Sequence, residues 1–186
     1  MPTADDPPHD FPDQAIREQL QHPGNLRELL HEVLGEIADG FVCKERELLP
    51  RDFPLEDWRH RESDLLFRIP YRTAAETVPV FVCVLLEHQS RHDPLMPLRT
   101  LVYAVLYWER EWKAWEALPA PRPPLRLTPV VPIVFPTGKK AWRKHRELAE
   151  LLGGPEPFRK FAPSWRPMFL VLAGKTPAEL LQAAGG

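Results

Sequence analysis

Cysteine is nearly absent from this chain of 186 residues, which carries only Cys43 and Cys83. Two thiols build no disulfide framework, and Cys83 falls inside an apolar run, so a reducing cytoplasm is the expected setting. Nowhere do about eighteen apolar residues follow one another, and the acidic, proline-rich start MPTADDPPHDFPD has neither a basic region nor an apolar run. Neither a membrane span nor an export signal is expected. Net charge is scarce as well, −2 from 24 Lys and Arg against 26 Asp and Glu. Attraction to nucleic acid through bulk charge is thereby excluded, and any such contact must come from a local patch. Apolar residues are plentiful, 44% of the chain with six tryptophans, which is enough for one sizeable core.

The stretch Val78 to Ser90, VPVFVCVLLEHQS, organises the rest. Every residue from Val80 to Leu86 is apolar, and a run without polar alternation reads as a strand covered on both faces. It ends abruptly in Glu87, His88 and Gln89. Side chains alternate across a strand, so Glu87 and Gln89 share one side and His88 takes the other. Upstream, SDLLFRIPYR reads as a second strand that starts at Asp64, and the gap from Thr73 to Glu76 suits only a hairpin. A hairpin centred between Ala75 and Glu76 sets Asp64 opposite Glu87, with Cβ atoms about 5 Å apart. Two carboxylates so placed repel unless protonated or bridged by a cation, and a hard divalent ion is the natural bridge.

The blocks SDLLFRIP, LLEHQSRHDPLMPLRTLVY and TPVVPIVFPTGKKAW closely resemble the Rpn family of recombination-promoting nucleases, also labelled YhgA-like transposases. That family is placed in the PD-(D/E)XK nuclease superfamily. The resemblance runs from about His9 to about Leu172, and its specific part is LLEHQS followed by D-x-L-M-x-x-R. It implies an α/β fold, a mixed sheet flanked by helices in the order αβββαβ, and Mg²⁺-dependent DNA endonuclease activity tied to recombination or mobile elements. Mn²⁺ is expected to substitute. By the same resemblance Asp64 and Glu87 are the metal ligands, and Gln89 is the third catalytic position, where the superfamily usually has lysine. An amide carries no positive charge, so it can orient a water or a phosphate oxygen without neutralising developing charge. Arg99 matches the arginine of the family's block and can meet a phosphate bidentately; the plainer reading is an ion pair with Asp93. His9 and Asp10 match the usual start of the family, but Phe11, Pro12 and Asp13 stand where aromatic residues and a lysine are typical.

Along the chain, residues 1–8 read as a disordered lead and residues 9–186 as a single domain in which the family's C-terminal helical part is short or absent. A helix is expected from an N-cap at Asn25 to a stop at Gly40, with Leu26, Leu29, Leu30, Val33, Leu34 and Ile37 on one face. Glu28, Glu32 and Glu36 share another face, read as solvated. Glu47 to Phe53 reads as an edge strand because of its charges and Pro50. A long helix is expected from Leu95 to Ala117, capped by Asp93, with Leu98, Leu101, Val102, Val105, Leu106 and Trp112 on the sheet. Leu118 to Leu127 is a proline-rich connector, and Thr128 to Phe135 a strand kept short by Pro129 and Pro132. The stretch KKAWRKHR, residues 139–146, holds five of the 24 basic residues. Its Lys139, Lys140, Arg143 and Lys144 are candidate DNA-backbone contacts, against the plainer reading of a solvated surface. A short helix over Glu147–Leu152, a strand over Arg166–Ala173 and a terminal helix from Thr176 complete the chain.

Three other readings of the polar strand end stand beside the nuclease. His88 and His92, with Asp93 beside them, have metal-ligand spacing, but Pro94 holds Asp93 away from helical geometry. A nucleic-acid-binding or interaction module whose chemistry has lapsed would retain the fold. A purely structural tail would pair Glu87 with Arg68 or Arg99. DNA is the expected partner, no membrane is expected, and a homo-oligomer is compatible with the sequence.

Overall fold

The apolar run from Val80 to Leu86 becomes the centre of a sheet. The computed structural model describes residues 11–49, 65–87, 93–136 and 147–170, with the side chains of 11–15, 87 and 136 outside the description. All seven residues of the run are buried, as a strand covered on both faces requires. Among the described residues five strands form one sheet, in the order β1 (Glu47–Leu48), β2 (Leu65–Arg72), β3 (Thr77–Glu87), β4 (Val130–Pro136) and β5 (Met168–Phe169). The pairs β1–β2 and β2–β3 are antiparallel, whereas β3–β4 and β4–β5 are parallel. Helices α1 (Phe11–Leu20) and α2 (Pro23–Leu34) precede the sheet, and α3 (Met96–Glu116) connects β3 to β4. This is the expected αβββαβ order with a second helix before it and, after it, a fifth strand where the sequence places one over Arg166–Ala173.

Alternation along β3 divides the core in two. Val80, Val82, Val84 and Leu86 join Leu65, Phe67, Ile69, Ile133 and Phe135 beneath Leu26, Leu29 and Leu30 of α2. Phe81, Cys83 and Leu85 join Leu66 and Val134 beneath Met96, Tyr103 and Tyr107 of α3. Each fully buried Val, Leu or Phe stabilises by about 1.5–3 kcal/mol, and the sheet is buried only because it has a helix layer on each face.

The hairpin register differs from the expected one. Pairing runs from Arg72 against Thr77 to Leu65 against Val84, so the centre lies between Ala74 and Ala75. Thr73 sets it. Its hydroxyl oxygen accepts from the Ala75 and Glu76 amides at 3.2 and 3.0 Å and donates to the Glu76 carbonyl, and its own N–H donates to that carbonyl at 2.8 Å. A register placing residue 64 against 87 would set Leu65 against Leu86, two residues further on. A shift of two leaves the faces unchanged, because side chains alternate with period two. The direct carboxylate-to-carboxylate pairing expected from sequence is nevertheless not the register of this hairpin.

Proline accounts for much of the sheet's extent. The Phe81 amide donates to the Pro129 carbonyl, and the Leu170 amide to the Val134 carbonyl, so odd positions of β4 address β3 and even ones address β5. Pro132 therefore aims its missing donor at the β5 side, where β5 pairs only with Ile133 and Val134. Pro70 likewise faces β1 past its end, and its carbonyl accepts from the Val42 amide at 2.9 Å.

The helices correct the sequence reading in three places. Pro23, not Asn25, opens α2, and the N-cap is His22, whose Nδ1 accepts from the Gly24 amide at 3.3 Å. Asn25 instead donates to the Gln19 carbonyl at 2.9 Å, closing the corner with α1, a helix the sequence reading did not include. The helix stops at Gly35, with φ 59°, and a 3₁₀ turn continues to Gly40 with Ile37 exposed. On α3 the buried stripe is Met96, Thr100, Tyr103, Ala104 and Tyr107, while Val105 and Trp112 of the expected stripe are exposed. Both stripes have helical spacing. The small Thr100 and Ala104 let the helix approach, and Tyr107 stacks flat on Phe81 with centroids 4.3 Å apart. The strand expected from Glu47 appears as Glu47–Leu48, the one expected from Arg166 as Met168–Phe169, and the helix expected from Glu147 as a 3₁₀ turn over Leu148–Leu151.

Candidate active site

Strand directions bring three strand ends to one edge. Because β2 runs against β3 and β4 runs with it, the start of β2 and the ends of β3 and β4 lie together: Leu65 pairs with Val84, and Glu87 with Pro136. This is the carboxyl edge of the parallel pair, the edge at which open α/β sheets bind ligands. Asp64 immediately precedes Leu65, Glu87 ends β3, Gln89 follows two residues later, and Lys139 comes three residues after Pro136. Only residues 88–92 separate Glu87 from Asp93, where the chain enters α3. Asp64, Gln89, Lys139, Lys140, Arg143 and Lys144 lie outside the described residues, as do His88 and His92, and of Glu87 the backbone alone is described.

Arg99 is in full view. Its Nη1 lies 3.6 Å from Asp93 Oδ2 and 3.7 Å from Met96 Sδ, with its side chain 10% exposed. The other carboxylate oxygen of Asp93 accepts from the Leu95 amide at 2.9 Å. Asp93 thus both closes the turn into α3 and holds the guanidinium, although the N-cap position itself falls on Leu95. The ion pair weighed for Arg99 is formed.

Arg68 is removed as a partner for Glu87. It pairs with Glu47 at 3.7 Å and sits opposite Phe81, six residues and about 20 Å from Glu87 along the strand. Glu28, Glu32 and Glu36 are exposed, and α2 packs on the face opposite α3, so the solvated reading of these acids holds. Among the described residues no group of three or more His, Cys, Asp or Glu could hold a metal ion, and no helix is long and apolar enough to cross a membrane.

Sequence reasoning missed the device that fixes β4. Glu111 takes both the backbone N–H, at 2.9 Å, and the hydroxyl of Thr128, while Trp108 Nε1 donates to its carbonyl at 2.8 Å. Three bonds from α3 seize the residue two positions before β4, setting the strand that ends beside Glu87. The only sequence signal was one polar residue at the head of an apolar run. Tyr107 lies in the same cluster, where burial pushes its hydroxyl above the ordinary tyrosine value and the Glu111 charge adds to the effect.

Residues 7–168 match the family model described as "Putative transposase, YhgA-like". No curated protein and no solved structure matches the chain.

Proposed function

The chain belongs to the YhgA-like putative transposase family, and from that premise we propose that it is a Mg²⁺-dependent DNA endonuclease acting at the carboxyl edge of β3 and β4. The observation that supports this reading is the convergence of strand ends on that edge: β3 ends there at Glu87, β2 starts there at Leu65, the residue after Asp64 in sequence, and β4 ends there at Pro136, three residues before Lys139 in sequence.

The donor chemistry fits the ion. Asp64 and Glu87 offer carboxylate oxygens, as a hard divalent cation prefers, without a thiolate that would select a softer metal. Both would hold it, and when bound it supplies Lewis-acid polarisation of the scissile phosphate and a more acidic water. Gln89 orients that water or a phosphate oxygen through its amide. Arg99, held by Asp93 at the entry to α3, brings positive charge toward a phosphate, and the Lys139, Lys140, Arg143 and Lys144 cluster holds the flanking backbone.

The test is nicking of supercoiled plasmid with Mg²⁺ or Mn²⁺. Asp64→Asn and Glu87→Gln preserve shape and remove charge, so each should abolish cleavage while leaving the circular dichroism spectrum unchanged. A parent protein that nicks equally well in EDTA, or variants as active as the parent, would sink the proposal.

A further inference from the structure

Among the described residues the phenylalanines divide sharply. Phe41, Phe67, Phe81, Phe135 and Phe169 are at most 8% exposed, whereas Phe158 and Phe161 are 63% and 73% exposed. Both sit in a 3₁₀ turn, Glu156–Phe161. Side chains three apart eclipse in such a turn, so the two rings stand on one side of it, separated by a rise of about 6 Å. Between them come Arg159 and Lys160, both exposed, and the Lys160 ammonium lies 5.1 Å from the centroid of Phe161.

The chain on either side of the turn is held in place. The Leu148 amide donates to the Trp165 carbonyl at 3.1 Å, Trp165 Nε1 donates to the buried Thr100 hydroxyl at 2.9 Å, and the Trp165 ring meets Trp108 edge-on at 6.3 Å. Two exposed rings flanked by two cations match a ligand that has flat π-faces on an anionic backbone. Stacking on the rings and pairing with the cations then act together. A bilayer surface is matched less well, because interfacial anchoring needs a long apolar face and this turn has six residues.

We propose that Phe158 and Phe161, with Arg159 and Lys160, form a stacking platform for unpaired bases of single-stranded DNA. The platform rests on the DNA reading above and adds to it a preference for open or frayed strands over closed duplex.

The experiment compares full-length parent, Phe158→Ala/Phe161→Ala and Arg159→Gln/Lys160→Gln by fluorescence anisotropy in EDTA, with a labelled oligo(dT) and a duplex of equal length. Removing the two rings should weaken oligo(dT) binding about tenfold or more, at the lower end of the usual loss per stacked base, and change duplex binding less than about twofold. Removing the two cations should flatten the salt dependence for oligo(dT) by a slope of about 1.4. Because all four side chains are exposed, melting temperatures should stay within a degree or two. The platform alone is overturned if the ring variant binds oligo(dT) like the parent, if it loses duplex equally, or if its only loss is binding to vesicles of anionic lipid. A parent that binds neither oligonucleotide overturns the platform and the DNA reading together.

Discussion

Asp93 shows how one side chain can serve two purposes at the mouth of a candidate site. One oxygen closes the turn into α3 through the Leu95 amide, and the other faces Arg99, with side-chain exposures of 20% and 10% for acid and base. Partial burial makes the pair worth more than a surface bridge but less than a fully buried one. Asp93→Ala should cost about 1–3 kcal/mol in urea unfolding, combining a lost cap with a lost charged contact. Asp93→Asn keeps an oxygen for Leu95 and should recover part of that loss; an Asn variant as stable as the parent would show that the charge contributes nothing. This pair was legible in the sequence because its members are close along the chain. Gly40 was legible only by accident. It was read as a helix stop, but the stop is Gly35, and Gly40 is constrained because a Cβ there would lie 2.5 Å from the Tyr71 ring, a contact across 31 residues that no local pattern encodes.

Among the elements, the β2–β3 hairpin is central, and its register is held by Thr73. Thr73→Val is nearly isosteric but removes the acceptor for the Ala75 and Glu76 amides, so it should lower stability by about 1 kcal/mol, the exposed amides recovering part of the loss from water. Thr73→Ser should behave like the parent in the same denaturant titration, and a loss in Thr73→Ser with Thr73→Val as stable as the parent would assign the effect to the methyl group instead. The strand itself was legible because seven apolar residues in succession admit few other readings. The register was not, because a four-residue loop permits more than one centre and the choice falls to a single hydroxyl. The face of α3 was misread for a related reason: two stripes have the helical period, and hydropathy favours Leu and Val over the Tyr, Thr and Ala that meet the sheet. Shape decided between them.

At the scale of the whole molecule, the element order was legible because helix, three strands, helix and strand are separated by clear breaks, and the sheet topology brings the start of β2 and the ends of β3 and β4 to a common edge. That arrangement makes a thermodynamic prediction independent of any cleavage assay. If Asp64 and Glu87 hold a divalent cation in the folded chain, binding stabilises that state by about 2.7 kcal/mol at a metal concentration near 100 times the dissociation constant. For a chain of this length the shift is about 5–10 °C in melting temperature. Asp64→Asn and Glu87→Gln should each reduce the Mn²⁺-induced shift to a degree or two. In EDTA the variants should melt close to the parent, because the described pairing, which ends with Leu65 opposite Val84, gives no reason for repulsion between the two carboxylates to strain the apo form. A carboxylate serving only as the partner of a cation would behave otherwise: its loss would lower the melting temperature by the same amount with and without metal, since the missing interaction never involved the ion. Melts of the three proteins in EDTA and in Mn²⁺ separate the two cases, and a parent whose melting temperature ignores Mn²⁺ would remove the metal site from this edge of the sheet.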